Sequence, residues 1–175
     1  MTTLTLESVN LDRWLAANLP RFKPPVSNAI IWPNSDLMIQ MITGPNSRTD
    51  FHDDPYAELF IQLKGDISLL ILEGGKLHDV RIKEGDIYVC PAHVRHSPQR
   101  GADTFGLVIE VQRKGEEIDA FEWYCPECVH LLHRVEIKLR DPEADARRAG
   151  MLFNEFYQDL PRRTCSQCGA VHPRP

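Results

Sequence analysis

The sequence contains no long apolar run and no excess of basic residues. No stretch of its 175 residues approaches the roughly 20 consecutive apolar side chains that a membrane-spanning helix needs. The formal net charge of -5 argues against general nucleic-acid binding, which requires a basic surface. The opening residues lack the basic start and apolar stretch of a secretory signal. We therefore expect a cytoplasmic protein that binds neither membranes nor nucleic acid.

Cysteine is scarce, and most of it is paired. Of the five cysteines, Cys90 stands alone and the others form two Cys-x-x-Cys pairs, Cys125 with Cys128 and Cys165 with Cys168. Without a secretion signal these thiols should stay reduced, so the spacing indicates a metal site before a disulfide. Four thiolates predict tetrahedral binding of zinc or of a single iron, which share this geometry. Cys90 is expected to be a small buried apolar residue.

The length suits a single domain that buries its own apolar core. Short strand-like runs separated by turn residues predict an antiparallel sandwich or barrel. Glu73-Gly-Gly-Lys76 is typical of a tight hairpin. A helix is predicted over Ser8–Leu19, with Leu19 on its apolar face, and a second helix from the N-cap Asp141 to about Gln158. The predicted strands are Leu37–Ile42, Leu59–Leu63, Ile67–Leu72, His78–Ile82, Asp86–Val89, Gly106–Val111 and Val135–Leu139.

Three polar residues occur at spacings that suit a metal-binding barrel. His52 and Glu58 lie six positions apart, and His96 follows the run Gly85-Asp-Ile-Tyr-Val-Cys-Pro91. Two neutral imidazoles and one carboxylate can hold Fe(II) on one face and leave positions open for substrate and dioxygen. Each residue alone would be read as an ordinary surface or core polar group. The match of all three to a two-part pattern favours a metal-dependent enzyme.

The residues around these ligands resemble the paired signatures of the cupin family, whose fold is a mainly β double-stranded β-helix, or jelly-roll barrel. The residues that fit the two signatures are Gly44, His52, Glu58 and Gly65, then Gly85, Pro91 and His96. The second histidine that is usual for the family is replaced by Asp54, and a frequent downstream asparagine by Arg100. The loss of one histidine leaves three metal ligands in place of the commoner four.

Along essentially its whole length the chain resembles the bacterial 3-hydroxyanthranilate 3,4-dioxygenases of this superfamily. The segments that carry the resemblance are Lys23–Asn28, Gly44–Pro55, His93–Arg100, Val108–Arg113, Phe121–Cys125 and Cys165–Pro173. The resemblance implies an Fe(II) enzyme of tryptophan catabolism by the kynurenine pathway. Such an enzyme opens the ring of 3-hydroxyanthranilate with O2 to give 2-amino-3-carboxymuconate semialdehyde, which cyclises to quinolinate, a precursor of NAD. A homodimer and an iron in the cysteine site are also implied.

The resemblance assigns several residues to the substrate, beside the ligand Glu58. Arg100 is expected to clamp the substrate carboxylate, and Arg48 to assist it and the dioxygen, because the planar fork of arginine grips carboxylates bidentately. Glu110 is expected to hydrogen-bond the substrate amino group and to move protons. Pocket-lining positions are expected at Asn28, Phe60 and Pro98. The alternatives are solvated surface arginines, a carboxylate that protects a sheet edge and a phenylalanine that belongs only to the core.

Other interpretations remain for the carboxylates and for the whole chain. Asp50, Asp53 and Asp54 are possible extra ligands, but Asp53-Asp-Pro is more typical of a turn. The barrel also suits another metal-dependent cupin enzyme, such as a sugar isomerase or a thiol dioxygenase. A third interpretation is a ligand sensor whose cysteines form a zinc ribbon. We predict one cupin domain over residues 1–175, with a barrel core at about 29–113 and a rubredoxin-like extension at about 121–175.

Overall fold

A computed structural model of the chain describes residues 8–22, 27–32, 35–140 and 142–175. The helices are α1 (Leu11–Asn18), which a 3-10 turn follows at Leu19–Arg21, α2 (Pro142–Gln158) and α3 (Leu160–Arg163). The strands are β1 (Ser27–Trp32), β2 (Leu37–Thr43), β3 (Phe51–Asp53), β4 (Glu58–Lys64), β5 (Ile67–Glu73), β6 (Lys76–Ile82), β7 (Ile87–Cys90), β8 (Arg95–Arg100), β9 (Phe105–Val111), β10 (Asp119–Tyr124) and β11 (Leu131–Ile137). Among the described residues, no helix is both long and apolar enough to cross a bilayer.

The strands form two antiparallel sheets that enclose the core. One sheet has the order β1-β2-β9-β4-β7 and the other the order β11-β10-β3-β8-β5-β6. The main core cluster draws from both sheets, since Phe60 and Val108 belong to the first and Ile67, Leu69 and Ile71 to the second. Alternating burial along β4 and β5 turns every second side chain inward. The predicted mainly β jelly-roll class is confirmed.

Turn chemistry fixes the register of the β5–β6 hairpin. Gly74 and Gly75 adopt φ values of 58° and 73°, a left-handed conformation that glycine reaches without steric cost. Two consecutive residues of this kind match the twist of a tight hairpin. Glu73 and Lys76 are therefore directly paired, as the sequence predicted. Cys90 is also buried as expected, with 1% of its surface exposed.

The N-terminal helix is shorter than the predicted Ser8–Leu19. The Asn10 side chain accepts a hydrogen bond from the backbone N–H of Arg13 and caps the helix, so that it begins at Leu11. Leu19 falls in the 3-10 turn and is 56% exposed, so its predicted place on the apolar face was wrong. The other predicted members of that face, Leu11, Trp14 and Leu15, do pack on the outer side of the five-stranded sheet.

The C-terminal segment packs against the far edge of the six-stranded sheet. A second apolar cluster joins Phe121 and Trp123 of β10 to Phe156 and Tyr157 near the end of α2. Trp123 and Phe156 are fully buried and stacked, with ring centroids 4.5 Å apart. The helix ends at Gln158 as predicted, whereas the predicted N-cap Asp141 lies outside the described residues. These aromatic contacts hold the four-cysteine segment beside the barrel.

Candidate active site

The three predicted metal ligands converge inside the barrel. His52 on β3 and His96 on β8 are register partners in one sheet, and Glu58 opens β4 in the facing sheet. One Glu58 oxygen, Oε1, lies 3.2 Å from His52 Nδ1 and 3.0 Å from His96 Nε2. Donor atoms of all three lie within 4.8 Å of one another. This donor set suits a single divalent transition metal.

Each imidazole has a second partner that fixes its proton. The carbonyl oxygen of Val94 accepts a hydrogen bond from His96 Nδ1 at 2.9 Å, so the lone pair of the neutral ring is on Nε2, which faces Glu58. Asp119 Oδ1 lies 3.0 Å from His52 Nε2, and a carboxylate can only accept, so the lone pair of neutral His52 is on Nδ1. Metal-binding histidines commonly use such carbonyl or carboxylate partners. In the neutral form that metal binding requires, both lone pairs therefore point toward the same centre.

Charge at this centre favours a bound cation. Burial opposes ionisation of Glu58, but the neighbouring His96 and His52 hold its pKa well below the usual value. Burial alone would lower the pKa of His52, yet hydrogen bonds to Asp119 and Glu58 raise it to about 9. The Glu58 carboxylate and its neighbours thus stabilise positive charge at this centre. Without a metal ion, that charge is carried by protons on the two imidazoles. Metal binding must displace these protons because metal ligands coordinate through free lone pairs.

Arg100 has unused hydrogen-bonding capacity inside the protein. It is 3% exposed, and its Nη1 donates to Gln62 Oε1 at 3.2 Å. Its Nε and Nη2 have no hydrogen-bond partner among the described residues. Burial and the nearby charge of Arg48 lower the pKa of Arg100 to about 10. A buried guanidinium with two free donors is prepared to receive an anion, and a carboxylate fits its fork.

Arg48 is already held by a carboxylate. Its Nε donates to Asp50 Oδ1 at 3.2 Å, and its Nη2 donates to the other oxygen of the same carboxylate. Asp50 is 1% exposed, so the guanidinium is held by a rigid partner. The charge of Glu58 acts on Arg48, and the charge of Arg48 acts on Arg100. Arg48 is therefore coupled electrostatically to both the ligand centre and Arg100, and Asp50 holds its guanidinium.

Glu110 belongs to a buried polar chain on the five-stranded sheet. Gln40 Nε2 donates to Glu110 Oε1 at 2.7 Å, and Gln40 in turn accepts from Asn28 Nδ2 at 2.9 Å. Burial and the charge of Glu58 raise the pKa of Glu110 to about 8. A carboxyl group with this pKa can exchange a proton near neutral pH. Asn28 is itself exposed and reaches this chain only through Gln40.

Arg113 joins three buried carboxylates on the same side of the centre. Its Nη2 lies 2.6 Å from Asp119 Oδ1 and 2.6 Å from Asp54 Oδ2. Its Nη1 donates to Glu110 Oε2, also at 2.6 Å. The guanidinium therefore neutralises carboxylates that would otherwise compete for the metal, and it connects Glu110 with Asp119 behind His52.

The remaining predicted positions lie close to the metal ligands. Phe60 is 2% exposed and meets the His96 ring edge-on, with centroids 6.1 Å apart, so it packs in the core against a ligand. Pro98 is buried on β8 between His96 and Arg100. Asp54 Oδ1 accepts from the backbone N–H of Tyr56 at 2.7 Å, which is the predicted turn. A carboxylate oxygen of Asp54 also lies within 4.8 Å of donor atoms of Glu58 and Glu110.

The sequence interpretation missed several members of the site. The residues not singled out are Gln40, Gln62, Arg113 and Asp119. Arg113 was noted only within a segment of family resemblance, and nothing in its spacing marks a partner for three carboxylates. Asp119 begins a strand that the sequence did not predict. Their roles depend on contacts between strands that are distant in the chain, which a local pattern cannot reveal.

The four paired cysteines form a second donor cluster. All four are free thiols, and their sulfurs lie within 4.8 Å of one another, with Cys125 and Cys168 at 3.4 Å and Cys128 and Cys165 at 3.6 Å. A tetrahedral metal with bonds of about 2.3 Å places its sulfurs about 3.8 Å apart. The prediction of a reduced metal-binding quartet, and not a disulfide, thus agrees with the geometry.

The two cysteine turns share one backbone design. Cys125 N–H donates to His130 O, and Val129 N–H donates back to Cys125 O. Cys165 repeats both bonds with Ala170 and Gly169. Val129 and Gly169, at matching positions, have φ values of 59° and 77°.

Burial opposes ionisation of Cys125, but backbone N–H groups of Cys128 and Glu127 lower its pKa to about 7. Such turns suit thiolate ligands.

We expect Cys165→Ser to remove one metal ion per chain and leave the barrel centre loaded. Structural metal sites of this kind contribute folding energy, so the melting temperature should fall by several degrees. Metal analysis and a thermal melt measure both effects. Cys90→Ala, which changes a cysteine outside the quartet, should retain both ions. Full metal content in the Cys165 variant would contradict a metal at these cysteines.

Comparisons with known proteins support a single family. The sequence profile of the 3-hydroxyanthranilic acid dioxygenase family matches residues 3–157. A 3-hydroxyanthranilate 3,4-dioxygenase of Shewanella woodyi is 50% identical over 169 residues, which cover 96% of this chain and 88% of that protein. Its counterpart in Ruegeria pomeroyi is 46% identical, covering 96% and 92%, and that of Bacillus thuringiensis is 43% identical, covering 97% and 93%. A cupin-2 domain protein of Shewanella frigidimarina superposes with a TM-score of 0.47 and 18% identity, covering 59% of this chain and 94% of that one.

Proposed function

Because the chain belongs to the 3-hydroxyanthranilic acid dioxygenase family, we propose that it cleaves the ring of 3-hydroxyanthranilate with O2. The product is 2-amino-3-carboxymuconate semialdehyde, which cyclises to quinolinate and leads from tryptophan catabolism toward NAD. The observation that carries this proposal is the buried guanidinium of Arg100, two of whose nitrogens have no partner among the described residues, in the same strand as His96. The substrate has a carboxylate that Arg100 can bind and a phenol–amine pair that can chelate a metal held by His96 and its partners.

The metal of the proposed reaction is Fe(II), held by His52, Glu58 and His96. When bound, it supplies a Lewis acid for the phenol and amine of the substrate and a site for dioxygen. Only one of the three ligands carries a negative charge, so the centre keeps positive charge to favour a deprotonated phenol. The described residues fit this ion, since two imidazole lone pairs and one carboxylate already face a common point.

The two arginines orient the substrate. His96, Pro98 and Arg100 lie at alternate positions of β8 and so project from the same face of the strand. A substrate bound to a metal that His96 would help to hold could therefore reach Arg100 with its carboxylate. Arg48, held by Asp50, supplies a second positive charge near the reacting face. Phe60 and Pro98 form apolar walls that exclude water and strengthen these interactions.

Glu110 accepts a hydrogen bond from the substrate amino group and moves a proton. Gln40 and Arg113 hold its two oxygens, so its orientation is set before the substrate arrives. We expect Glu110→Gln to bind Fe(II) normally but to lower kcat by about a hundredfold, the usual scale of general acid–base catalysis. Steady-state kinetics and iron analysis measure the two properties. Glu136→Gln, which changes an exposed carboxylate on β11, is the control. A Glu110 variant with full kcat would remove the proton role.

The experiment that tests the proposed function is direct turnover. Anaerobically purified protein is loaded with Fe(II), mixed with 3-hydroxyanthranilate in air, and followed by absorbance of the semialdehyde and by an oxygen electrode. We expect one O2 consumed for each substrate molecule. Absence of product with the barrel centre loaded would defeat the proposal. Turnover of a neutral sugar or a thiol in its place would favour the alternative cupin enzymes, although a neutral sugar leaves Arg100 without a partner.

We also propose iron in the four-cysteine centre, a cytoplasmic location and a homodimer. A reducing compartment is needed to keep the four thiols free, which supports the cytoplasm. On the outer face of the five-stranded sheet, Ile87 and Val89 of the edge strand β7 are 70% and 56% exposed. Exposed apolar neighbours of this kind typically mark a contact surface, and a second copy related by twofold symmetry is the commonest partner.

We expect Ile87→Lys to convert the dimer into monomers, because a charge would be buried at the contact. Sedimentation velocity measures the mass directly. Leu77→Lys changes a residue that is 52% exposed on β6 of the other sheet and should stay dimeric. A wild-type protein that sediments as a monomer would exclude the proposed dimer.

A further inference from the structure

The segment that carries Arg48 is fixed at its first half by β8. Residues 44–50 have no regular secondary structure. Asn46 Oδ1 accepts from the backbone N–H of Arg100 at 2.8 Å, and Asn46 N–H donates to the carbonyl of Arg100 at 3.1 Å. Asn46 Nδ2 donates to the carbonyl of Pro98 at 2.8 Å. These bonds fix one side of the segment relative to the unpaired arginine.

The second half of the segment is held from the C-terminal extension. Thr49 Oγ1 and Tyr157 Oη lie 2.6 Å apart. Trp123 Nε1 donates to the same Tyr157 oxygen at 3.3 Å. Because an indole N–H can only donate, the Tyr157 proton is free to point at Thr49. The backbone of Thr49 also acts electrostatically on the His172 ring and favours its protonated form. The Tyr157 hydroxyl contact and this interaction therefore meet at the residue between Arg48 and Asp50.

The three residues of the extension near Thr49 are buried, and they are connected to the four-cysteine centre. Trp123, His172 and Tyr157 are 0%, 4% and 7% exposed. Trp123 precedes the first cysteine turn by two residues. His172 closes the second turn, since its N–H donates to Arg163 O and its own carbonyl accepts from Arg163 Nη1 at 2.7 Å. The metal-binding turns are thus connected on both sides to the Arg48 segment.

We propose that Tyr157 is a positioning residue for Arg48, acting through Thr49. The inference rests on the proposed function, in which Arg48 faces the substrate and dioxygen. By fixing Thr49, the tyrosine hydroxyl sets the position of Asp50, and the Asp50 carboxylate sets that of the guanidinium. The C-terminal extension then contributes to catalysis by shaping the active site, in addition to binding its own metal.

The test removes the hydroxyl groups one at a time in the iron-loaded enzyme. We expect Tyr157→Phe and Thr49→Val each to lower kcat/KM for 3-hydroxyanthranilate by about tenfold, since both remove the Thr49–Tyr157 hydrogen bond. Tyr157→Phe also removes the acceptor of the Trp123 N–H, so the double variant should lose no more than the Tyr157 variant alone. Tyr124→Phe removes a hydroxyl that donates to Glu122 on the outer side of the sheet and should keep wild-type kinetics.

Hydrogen exchange separates positioning from a general loss of stability. Backbone amides of residues 44–50 should exchange faster in the Tyr157 variant than in the Tyr124 variant, with similar melting temperatures for both. Additive losses in the double variant, or wild-type kinetics in Tyr157→Phe, would overturn the proposal. If the wild-type enzyme does not turn over 3-hydroxyanthranilate, the proposed function fails. In that case the hydrogen-exchange rates of residues 44–50 alone test whether Tyr157 positions this segment. Unchanged rates in the Tyr157 variant would refute that role.

Discussion

Replacing Arg100 with methionine is expected to destroy substrate affinity without weakening the fold. Truncating one partner of a buried, hydrogen-bonded charge pair costs about 2–5 kcal/mol, so KM for 3-hydroxyanthranilate should rise by roughly thirtyfold or more. In the free protein this guanidinium makes one hydrogen bond, from Nη1 to Gln62, and its other two buried nitrogens have no partner among the described residues. An unsatisfied buried polar group costs about 1–3 kcal/mol. The melting temperature of the variant should therefore equal or exceed that of the wild type.

Steady-state kinetics and a thermal melt on the same preparation measure both effects. Arg81→Met is the matched control, since Arg81 is an exposed arginine of β6 whose Nη1 donates to Ser68 Oγ. The control should leave KM and stability unchanged. An Arg100 variant with wild-type KM would remove this residue from the substrate site. A large loss of stability with no change in KM would instead make Arg100 a structural residue.

Replacing His96 with alanine is expected to empty the barrel centre and abolish turnover. Loss of a partner behind a ligand already costs about 10–100-fold in metal affinity or activity, so loss of a ligand itself should lower turnover by roughly a thousandfold or more. Metal content should fall from two ions per chain to one, because the four-cysteine centre is separate in the fold. Elemental analysis and single-turnover kinetics measure the two quantities.

The control for this substitution lies three residues earlier. His93 is 63% exposed in its side chain and pairs with Asp53 at 3.0 Å on the outer side of the sheet. His93→Ala should keep both metal ions and wild-type turnover. Turnover retained by the His96 variant, or lost equally by the His93 variant, would contradict the ligand assignment.

The fold class could be predicted because most strands and turns carry their own signals. Apolar runs such as β4, β5 and β9 alternate inward and outward residues, and the two glycines of the β5–β6 turn specify a hairpin. Strands β1, β3, β8 and β10 were missed. In β3 and β8 the inward positions hold His52, His96 and Arg100. Polar functional residues there occupy the places where apolar side chains would reveal a strand.

The candidate site could be predicted only in part for a related reason. His52, Glu58 and His96 follow local spacing within recognisable signatures. Arg113 and Asp119 owe their roles to contacts among strands β3, β9 and β10 and the loops that follow them, which the sequence does not mark. The sequence also could not show which partners the two predicted arginines, Arg48 and Arg100, have in the folded protein. Arg48 is paired with Asp50, whereas Arg100 has no carboxylate partner in the part of the chain that the structure describes, a difference that only the folded arrangement determines.

Titration of the barrel centre with Fe(II) tests the central claim most directly. Protein with its four-cysteine centre filled and its barrel centre empty is mixed anaerobically with increasing Fe(II) and 3-hydroxyanthranilate, then exposed to O2 for one turnover. We predict that the semialdehyde formed rises in proportion to added iron and levels off at one ion per chain. Product formed without added iron, or no product at full loading, would contradict an enzyme that works through His52, Glu58 and His96.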